Sequence, residues 1–323
     1  MKAAVYTKYG SPDNLELQEV DKPTPEDNEV LVKMHAASIN SWDWDLLIGA
    51  FQARIGAFRK PKFKILGCDI AGRVEAVGSN AKQFQLGDEV FGDISGFRAR
   101  DFGGFAEYVC AREDLLALKS PSMTFEQAAA IPQAGVMALQ GIRNKVQLQS
   151  GDKVMINGAG GGVGTFAIQL AKSYGAEVTG VDKTEKLEMM RSIGADHVID
   201  YTQEDFTKSG QRYDLIFDVT QHRSIFDYKR ALGPKGIYAV AGGTTPRILQ
   251  TVFFGPFISL LGRKKMDLMM HIPNKKDLNT MKELFEADKV APVIDRSYTL
   301  SEAHEAFRYF GEGNFKGKVI ITM

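Results

Sequence analysis

Residues Val154-Met155-Ile156-Asn157-Gly158-Ala159-Gly160-Gly161-Gly162-Val163-Gly164 set five glycines within seven positions, directly after a short apolar run. Glycines this close together let a backbone turn sharply and approach a ligand with no Cβ in the way. An amphipathic stretch follows at once, with Val163, Ala167, Leu170 and Tyr174 on one face at helical spacing. At the start of a helix, free backbone N–H groups and the positive end of the helix dipole face an anion, most often a phosphate. Strand, glycine turn and helix in that order point to a nucleotide-binding α/β fold.

Aligned with the dinucleotide fingerprint, the run reads Ala159-x-Gly161-x-x-Gly164. Gly161 would admit the pyrophosphate and Gly164 would let helix pack on strand, with Gly160, Gly162 and Val163 completing the turn. The next strand-like run ends at Asp182, close to the ~20-residue offset of a ribose-binding acid. A methyltransferase nucleoside site is the alternative within this fold class. An acid at this point accepts the ribose hydroxyls and repels a 2′-phosphate, which favours NADH. Lys183 and Lys186 stand beside it and could instead receive that phosphate. The residues leave NADH against NADPH open.

The rest of the chain bounds the answer. Its 323 residues are enough for two domains. Forty basic and forty acidic residues balance, which argues against nucleic acid as a partner. Two cysteines, Cys68 and Cys110, support neither a disulfide framework nor a multi-cysteine metal site, so a cytoplasmic protein is expected. The longest apolar stretch, 249–262, contains Pro256 and is shorter than the ~20 residues a membrane span needs. Flanked by Arg263, Lys264 and Lys265, it reads as a lid or a subunit contact, with a membrane surface as the alternative.

Short alternating runs at 3–6, 15–20, 29–34, 71–77, 87–91 and 106–109, separated by turn residues, predict an antiparallel, barrel-like first part. The segment 45–64 reads as a surface loop. Beyond 124, strands at 153–157, 177–181, 197–200, 215–218 and 237–241 alternate with helices at 165–174, 184–193 and 225–232. That alternation predicts a doubly wound parallel sheet. Further helices are expected at 126–131, 137–145, 275–287 and 301–310, and a closing strand at 317–322 that returns to the first domain. The division expected is 1–126 with 271–323 in one domain and 127–270 in the other.

The glycine run resembles that of the zinc-free quinone oxidoreductases of the medium-chain dehydrogenase/reductase superfamily. Leu66-Gly67-Cys68-Asp69-Ile70-Ala71-Gly72, Gly87-Asp88-Glu89-Val90-Phe91-Gly92, Gly103-Gly104-Phe105-Ala106-Glu107-Tyr108, Ala129-Ala130-Ile131-Pro132 and Gly194-Ala195-Asp196-His197-Val198-Ile199-Asp200-Tyr201 match in order along the chain. The resemblance implies an α/β protein with a GroES-like β-barrel substrate domain, a Rossmann doubly wound parallel-sheet domain, and a homodimer paired through a Rossmann edge strand. Zinc-dependent members hold catalytic zinc with Cys, His and Cys. Those ligands would fall near Asn40, at Cys68-Asp69, and around Gln133 and Ala134, where the sequence has no matching set. The four-cysteine structural loop is also missing, since only Cys110 occurs between Gly92 and Arg112. No metal is expected.

Without zinc, hydrogen-bond donors must stabilise charge on the substrate oxygen, or the substrate must need little help. Quinones and α,β-unsaturated carbonyls suit such a site. The resemblance gives Asn40 as a donor to substrate or to the nicotinamide ribose, with capping of the following turn as its alternative, and Asp43 as an orienting or structural acid, with a catalytic role as its alternative. Lys186 and Tyr201 match residues that grip the 2′-phosphate of NADPH, while Asp182 replaces a small neutral residue, so dual use of NAD(P)H is implied. Val219, in the turn Asp218-Val219-Thr220, and the pair Gly242 and Gly243 would adjoin the nicotinamide. Trp42 or Trp44 is a candidate pocket wall, Met266, Met269 and Met270 are core or substrate wall, and Cys68 is a buried thiol. The expected function is zinc-independent, NAD(P)H-dependent reduction of quinones or enones. An alcohol or aldehyde dehydrogenase is one alternative, and a cofactor-binding sensor or crystallin-like structural protein is another.

Overall fold

The computed structural model describes residues 1–54, 57, 59–96, 101–143 and 148–323. Ile55, Gly56 and Phe58 of the expected loop, and the last two residues of the expected 137–145 helix, lie outside them. The chain begins β1 (Lys2–Val5), β2 (Glu16–Glu19), β3 (Glu29–Ser38), α1 (Ser41–Ile48), β4 (Asp69–Val77), β5 (Glu89–Asp93), β6 (Tyr108–Arg112) and β7 (Leu116–Leu118). Helices α2 (Phe125–Ala130) and α3 (Pro132–Arg143) precede β8 (Lys153–Asn157), α4 (Gly162–Ser173), β9 (Glu177–Asp182), α5 (Leu187–Ser192) and β10 (His197–Asp200). Then come β11 (Tyr213–Asp218), α6 (Ile225–Ala231), β12 (Leu232–Val240), α7 (Thr245–Leu261) and β13 (Lys265–Leu268). The chain closes with α8 (Lys275–Glu286), β14 (Ile294–Thr299), α9 (Ala303–Glu312) and β15 (Lys318–Thr322).

Two compact units result: Met1–Ala134 with Pro273–Glu286 and Pro292–Met323, and Gly135–Ile272 with Ala287–Ala291. The first is built on a seven-stranded sheet of order β14-β15-β3-β4-β5-β7, with β6 also on β3. Every pairing in it is antiparallel except β14 with β15. Strand β3 is the centre of the sheet, buried at eight of its ten positions, which is why it reads as a nearly continuous apolar run. Its register with β4 shifts twice, between Leu31 and Val32 and between Met34 and Ala36, and such bulges bend a sheet towards closure. Val32, Ile70, Val74, Val90 and Phe105 from the strands and Phe307 from α9 belong to the core of this unit.

Strand β15 runs antiparallel to β3 with Ile320 opposite Ser38. The Ile39 N–H donates to the Val319 carbonyl at 3.0 Å, continuing that register and bringing Lys318 to Asn40. The C-terminal strand thus delivers a lysine to the first turn of α1. Helix α1 replaces the start of the expected 45–64 loop; it begins after Asn40 and stops at Gly49, whose φ of 69° is a left-handed cap.

The second unit holds six parallel strands in the order β10-β9-β8-β11-β12-β13. Counted within the unit this is 3-2-1-4-5-6, the doubly wound arrangement, and its direction reverses between β8 and β11. Ligands in such sheets bind beyond the carboxyl ends of the strands at that reversal. The apolar stretch after it forms α7, a 17-residue helix whose Thr251, Gly255 and Ile258 are buried. A Cβ on Gly255 would lie 3.2 Å from the Met266 carbonyl oxygen, so the glycine sets the close approach of α7 to β13. No helix among the described residues is long and apolar enough to cross a membrane.

Candidate functional site

The glycine turn leaves β8 at Asn157. Gly158 takes φ 81°, a region glycine enters without strain, and it and Ala159 donate to the Val181 carbonyl at 3.0 and 3.1 Å. The remaining glycines divide by role. A Cβ on Gly164 would sit 2.2 Å from the Gly158 carbonyl, so this glycine packs helix on turn. A Cβ on Gly161 would meet nothing nearer than 3.5 Å, so the space at the N-cap of α4 is open to a ligand. Gly162 and Val163 open α4, where N–H groups lack carbonyl partners within the helix. This cradle fits a dinucleotide pyrophosphate.

The floor of the strand reversal is a buried polar network. Asn157 Nδ2 donates to Asp218 Oδ1 at 2.8 Å, to Thr220 Oγ1 at 3.0 Å and to Tyr228 OH at 3.1 Å. Tyr238 OH donates to Asp218 Oδ2 at 2.9 Å, and the Thr220 and Gln221 N–H groups donate to Asp218 Oδ1. Asp218 thereby fixes the loop carrying Val219. Gly158 faces the Val219 side chain, and a Cβ on Gly242 would be 2.7 Å from the Val219 carbonyl oxygen. Gly158, Val219 and Gly242 therefore converge, with Gly243 next at φ 139°. Gln221, at φ 48°, donates from Nε2 to the Arg247 carbonyl and to Thr251 Oγ1, tying this loop to α7. Nothing in the sequence pattern marks Gln221.

At the other end of the turn, Asp182 and Lys186 are partners rather than rivals. Asp182 Oδ2 accepts the Gly160 N–H at 2.8 Å and Oδ1 accepts the Lys183 N–H at 2.9 Å. Lys186 Nζ lies 3.7 Å from Asp182 Oδ1, and both side chains are buried. Gly160 is tight against them, since its Cβ would fall 2.6 Å from Lys186 Cδ. Tyr201 donates its N–H to the Asp182 carbonyl and sets its ring 5.2 Å from that of His222. Burial, with Asp182 nearby, raises the Tyr201 hydroxyl above its ordinary pKa. The residues expected to meet the adenosine end are thus neighbours.

In the first unit a second polar cluster surrounds Cys68. Asn40 Nδ2 donates to Asp69 Oδ2 at 3.0 Å and to Cys68 Sγ at 3.6 Å, and Asn40 Oδ1 accepts from Lys318 Nζ at 2.5 Å. Lys318 also donates to the Ile39 carbonyl at 3.3 Å and lies 3.5 Å from Asp69 Oδ2. Ser38 Oγ and the Gln133 N–H donate to the two oxygens of Asp69, and Gln133 Nε2 donates to Cys68 Sγ at 3.4 Å. Burial pushes the Cys68 thiol well up, so it stays protonated at neutral pH, and burial likewise raises Asp69 against the pull of Lys318. Asp43 receives the Asn40 N–H on Oδ2 and the Gly67 N–H on Oδ1, each at 2.9 Å. Burial lifts its pKa to about 7.

Residues 26–122 match the family model for the alcohol dehydrogenase GroES-like domain, and residues 193–321 match that for zinc-binding dehydrogenase. A 2-methylene-furan-3-one reductase of Solanum lycopersicum is 35% identical, over 99% of this chain and 79% of its own. An NADPH-dependent alkenal/one oxidoreductase of Arabidopsis thaliana is 34% identical over the same shares. Among solved structures, the quinone oxidoreductase from Coxiella burnetii superposes with a TM-score of 0.89 at 28% identity, over 100% of this chain and 99% of that one. The chain belongs to the medium-chain dehydrogenase/reductase superfamily, in its quinone oxidoreductase and alkenal-one reductase group. The group uses NAD(P)H, and the turn, Lys186, Tyr201, Val219, Gly242 and Gly243 are the residues that would hold it.

Within this family the Cys68 cluster takes on meaning. The three positions at which zinc-dependent members place ligands, here Asn40, Cys68 and Gln133, converge on one sulfur. Ligand atoms of Cys68, Asp69 and Asp93 also lie within 4.8 Å of one another. At the three ligand positions stand two carboxamides and a protonated thiol, while the Asp69 carboxylate beside them is engaged by Ser38, Asn40, Gln133 and the buried Lys318 ammonium. Lys318 and the carboxamide of Gln133 escape a reading by motif. The one sequence signal for Lys318 is a charge opening the apolar run Val319-Ile320-Ile321. Trp42 and Trp44 pack on the core of the first unit, Trp44 within 2.2 Å of where a Cβ on Gly311 would be, and Met266 and Met269 are buried while Met270 is exposed.

Proposed function

We propose that the protein reduces quinones or α,β-unsaturated carbonyls by hydride transfer from NAD(P)H, without zinc. The observation that carries this reading is the Cys68 cluster. Where a zinc enzyme would polarise an alcohol or carbonyl with a metal, this chain offers the Gln133 carboxamide, which donates to Cys68 Sγ beside an Asn40 carboxamide held by Asp69 and Lys318. Bound dihydronicotinamide supplies the hydride. The chain's own part is to hold the pyrophosphate at Gly160–Gly164, seat the adenosine end against Asp182, Lys186 and Tyr201, and present donors to an oxygen that gains charge. Asn40 and Asp43 serve as positioning groups in this scheme, because both ends of each side chain are already engaged within the protein. The reduced product then takes its proton from water.

Paired as they are, Asp182 and Lys186 support use of both NADH and NADPH. The exposed face of α7 and the edge strand β13 support a homodimer. Two buried cysteines that form no disulfide fit a reducing compartment such as the cytoplasm. The test is oxidation of NADH and of NADPH by the purified protein with quinones, enones, aldehydes and alcohols, with metal analysis of the same sample. Quinone or enone turnover without bound zinc is expected. Alcohol oxidation with stoichiometric zinc would overturn the proposal.

A further inference from the structure

In the Cys68 cluster, Ser38, Asn40, Asp43, Cys68, Asp69, Asp93 and Lys318 are buried, and Gln133 is partly exposed. Gln133 is held from behind at two points, one on its backbone and one on its carboxamide. The Gln133 N–H, one of the free donors at the start of α3, binds Asp69 Oδ1 at 2.9 Å, and one side-chain N–H binds Cys68 Sγ at 3.4 Å. The second Nε2 hydrogen and Oε1 have no partner among the described residues. Asn40 is the opposite case, with both hydrogens and its oxygen spent on Asp69, Cys68 and Lys318. Fixing a glutamine side chain removes rotamer freedom before substrate arrives, so a held carboxamide with an open donor is a preorganised one.

We propose that Gln133 is the catalytic hydrogen-bond donor of the reduction, giving its open Nε2–H to the substrate carbonyl oxygen as that oxygen becomes an enolate or hydroquinone oxyanion. The inference rests on the reading of the preceding subsection. In the step, the hydride of NAD(P)H forms a C–H bond at the electrophilic carbon, the π electrons move to oxygen, and Gln133 keeps its proton while hydrogen-bonding the new anion. Water protonates the product afterwards. Asp69 and Cys68 orient the donor, and Lys318 fixes them through Asn40 and offsets the charge of Asp69.

The test compares the full-length protein with Gln133→Leu and Gln133→Met, the second keeping length and bulk in case the first fails to fold. Loss of one oxyanion donor should cut kcat about 100- to 1,000-fold for a simple enone, and less for a quinone whose anion is already delocalised. NADPH affinity, read by cofactor fluorescence, should stay within about twofold, as expected for a donor used only in the transition state. A second readout needs no turnover: 4-nitrophenol, bound as an oxyanion mimic, should ionise at lower pH on the native protein than on either variant. Equal enone kcat in native and Gln133→Met protein, or nitrophenol that titrates alike on both or binds to neither, would overturn the assignment. Failure of the underlying reading looks different, since native protein would then oxidise NAD(P)H with neither enone nor quinone while the nitrophenol comparison still reports on Gln133.

Discussion

Two buried carboxylates show how the surroundings of a single residue decide what it can do. Asp182 is expected from its place after β9 to bind ribose or to repel a phosphate, yet its oxygens are shared between the Gly160 and Lys183 N–H groups and the Lys186 ammonium. Replacing it with Ser keeps a hydrogen-bonding oxygen and releases Lys186. Asp182→Ser should therefore raise the NADPH-to-NADH ratio of kcat/KM by about tenfold, some 1.4 kcal/mol. An unchanged ratio would mean that the pair does not set the preference. Asp43 is a different case. Asp43→Asn would turn an NH2 group towards one of two buried N–H donors and should cost about 1–3 kcal/mol in urea unfolding. Its folded pKa of about 7 lies above the ordinary aspartate value of 3.8, so the folded state holds the proton more tightly. The resulting contribution is complete below about pH 4 and disappears as pH rises through about 7. Between pH 5 and 8 native protein should lose stability that Asp43→Asn does not lose; Asp69 and Lys318, which face Asp43, are present in both. Parallel pH curves would refute this. Asp182 and Lys186 were legible in the sequence because strand, turn and acid are local. Positions 40, 68 and 133 were grouped by the resemblance, but Lys318 was not legible, because only the register of β15 on β3 brings it to them.

Elements were legible where one periodicity holds for a whole segment. Strands β8 and β9 and helix α4 follow from apolar runs and helical spacing, since central parallel strands are buried almost throughout, whereas β10 at the edge is buried only at Asp200. The apolar stretch 249–262 carries no helical signature in the sequence, and as helix α7 it tolerates Pro256 because that proline sits on the exposed side, where water can serve the carbonyl it leaves unpaired. Strand β13 hides behind a basic triplet and is only four residues long, and β14 is mostly polar because it lies at an edge. The glycine turn permits a sharper test, since two glycines three positions apart answer to different partners. Gly161→Ala should fold normally and bind NAD(P)H at least tenfold more weakly, because its Cβ meets only ligand space. Gly164→Ala forces a methyl into backbone 2.2 Å away and should lower the melting temperature of the protein without cofactor. If thermal unfolding showed both variants equally destabilised, Gly161 would belong to the packing and not to the cofactor seat.

Over the whole molecule the least satisfied surface is the outer side of α7. Every exposed side chain between residues 249 and 261 is apolar, with Leu260 and Leu261 83% and 85% exposed and Phe253 and Phe257 62% and 64%. Patches of this kind on a soluble protein mark a surface that is covered in use. Strand β13 lies beside it with one edge unpaired among the described residues, and an open edge is itself a template for another strand. A second copy answers both needs at once, because a two-fold axis places the same helix and the same edge on each side of one interface. A stable dimer of that kind buries about 1,200–2,000 Å² in total, which the four turns of α7 and an edge strand can supply. Light scattering on native protein should then give twice the 35.6 kDa of the chain. The double variant Phe257→Asp with Leu260→Asp puts four like charges into that interface and should give the single mass with NAD(P)H affinity kept, since neither residue belongs to the glycine turn. A native protein that stays monomeric at micromolar concentration would require another cover for α7, and the basic residues Arg263 and Lys265 at its end would then make anionic vesicles the next partner to try.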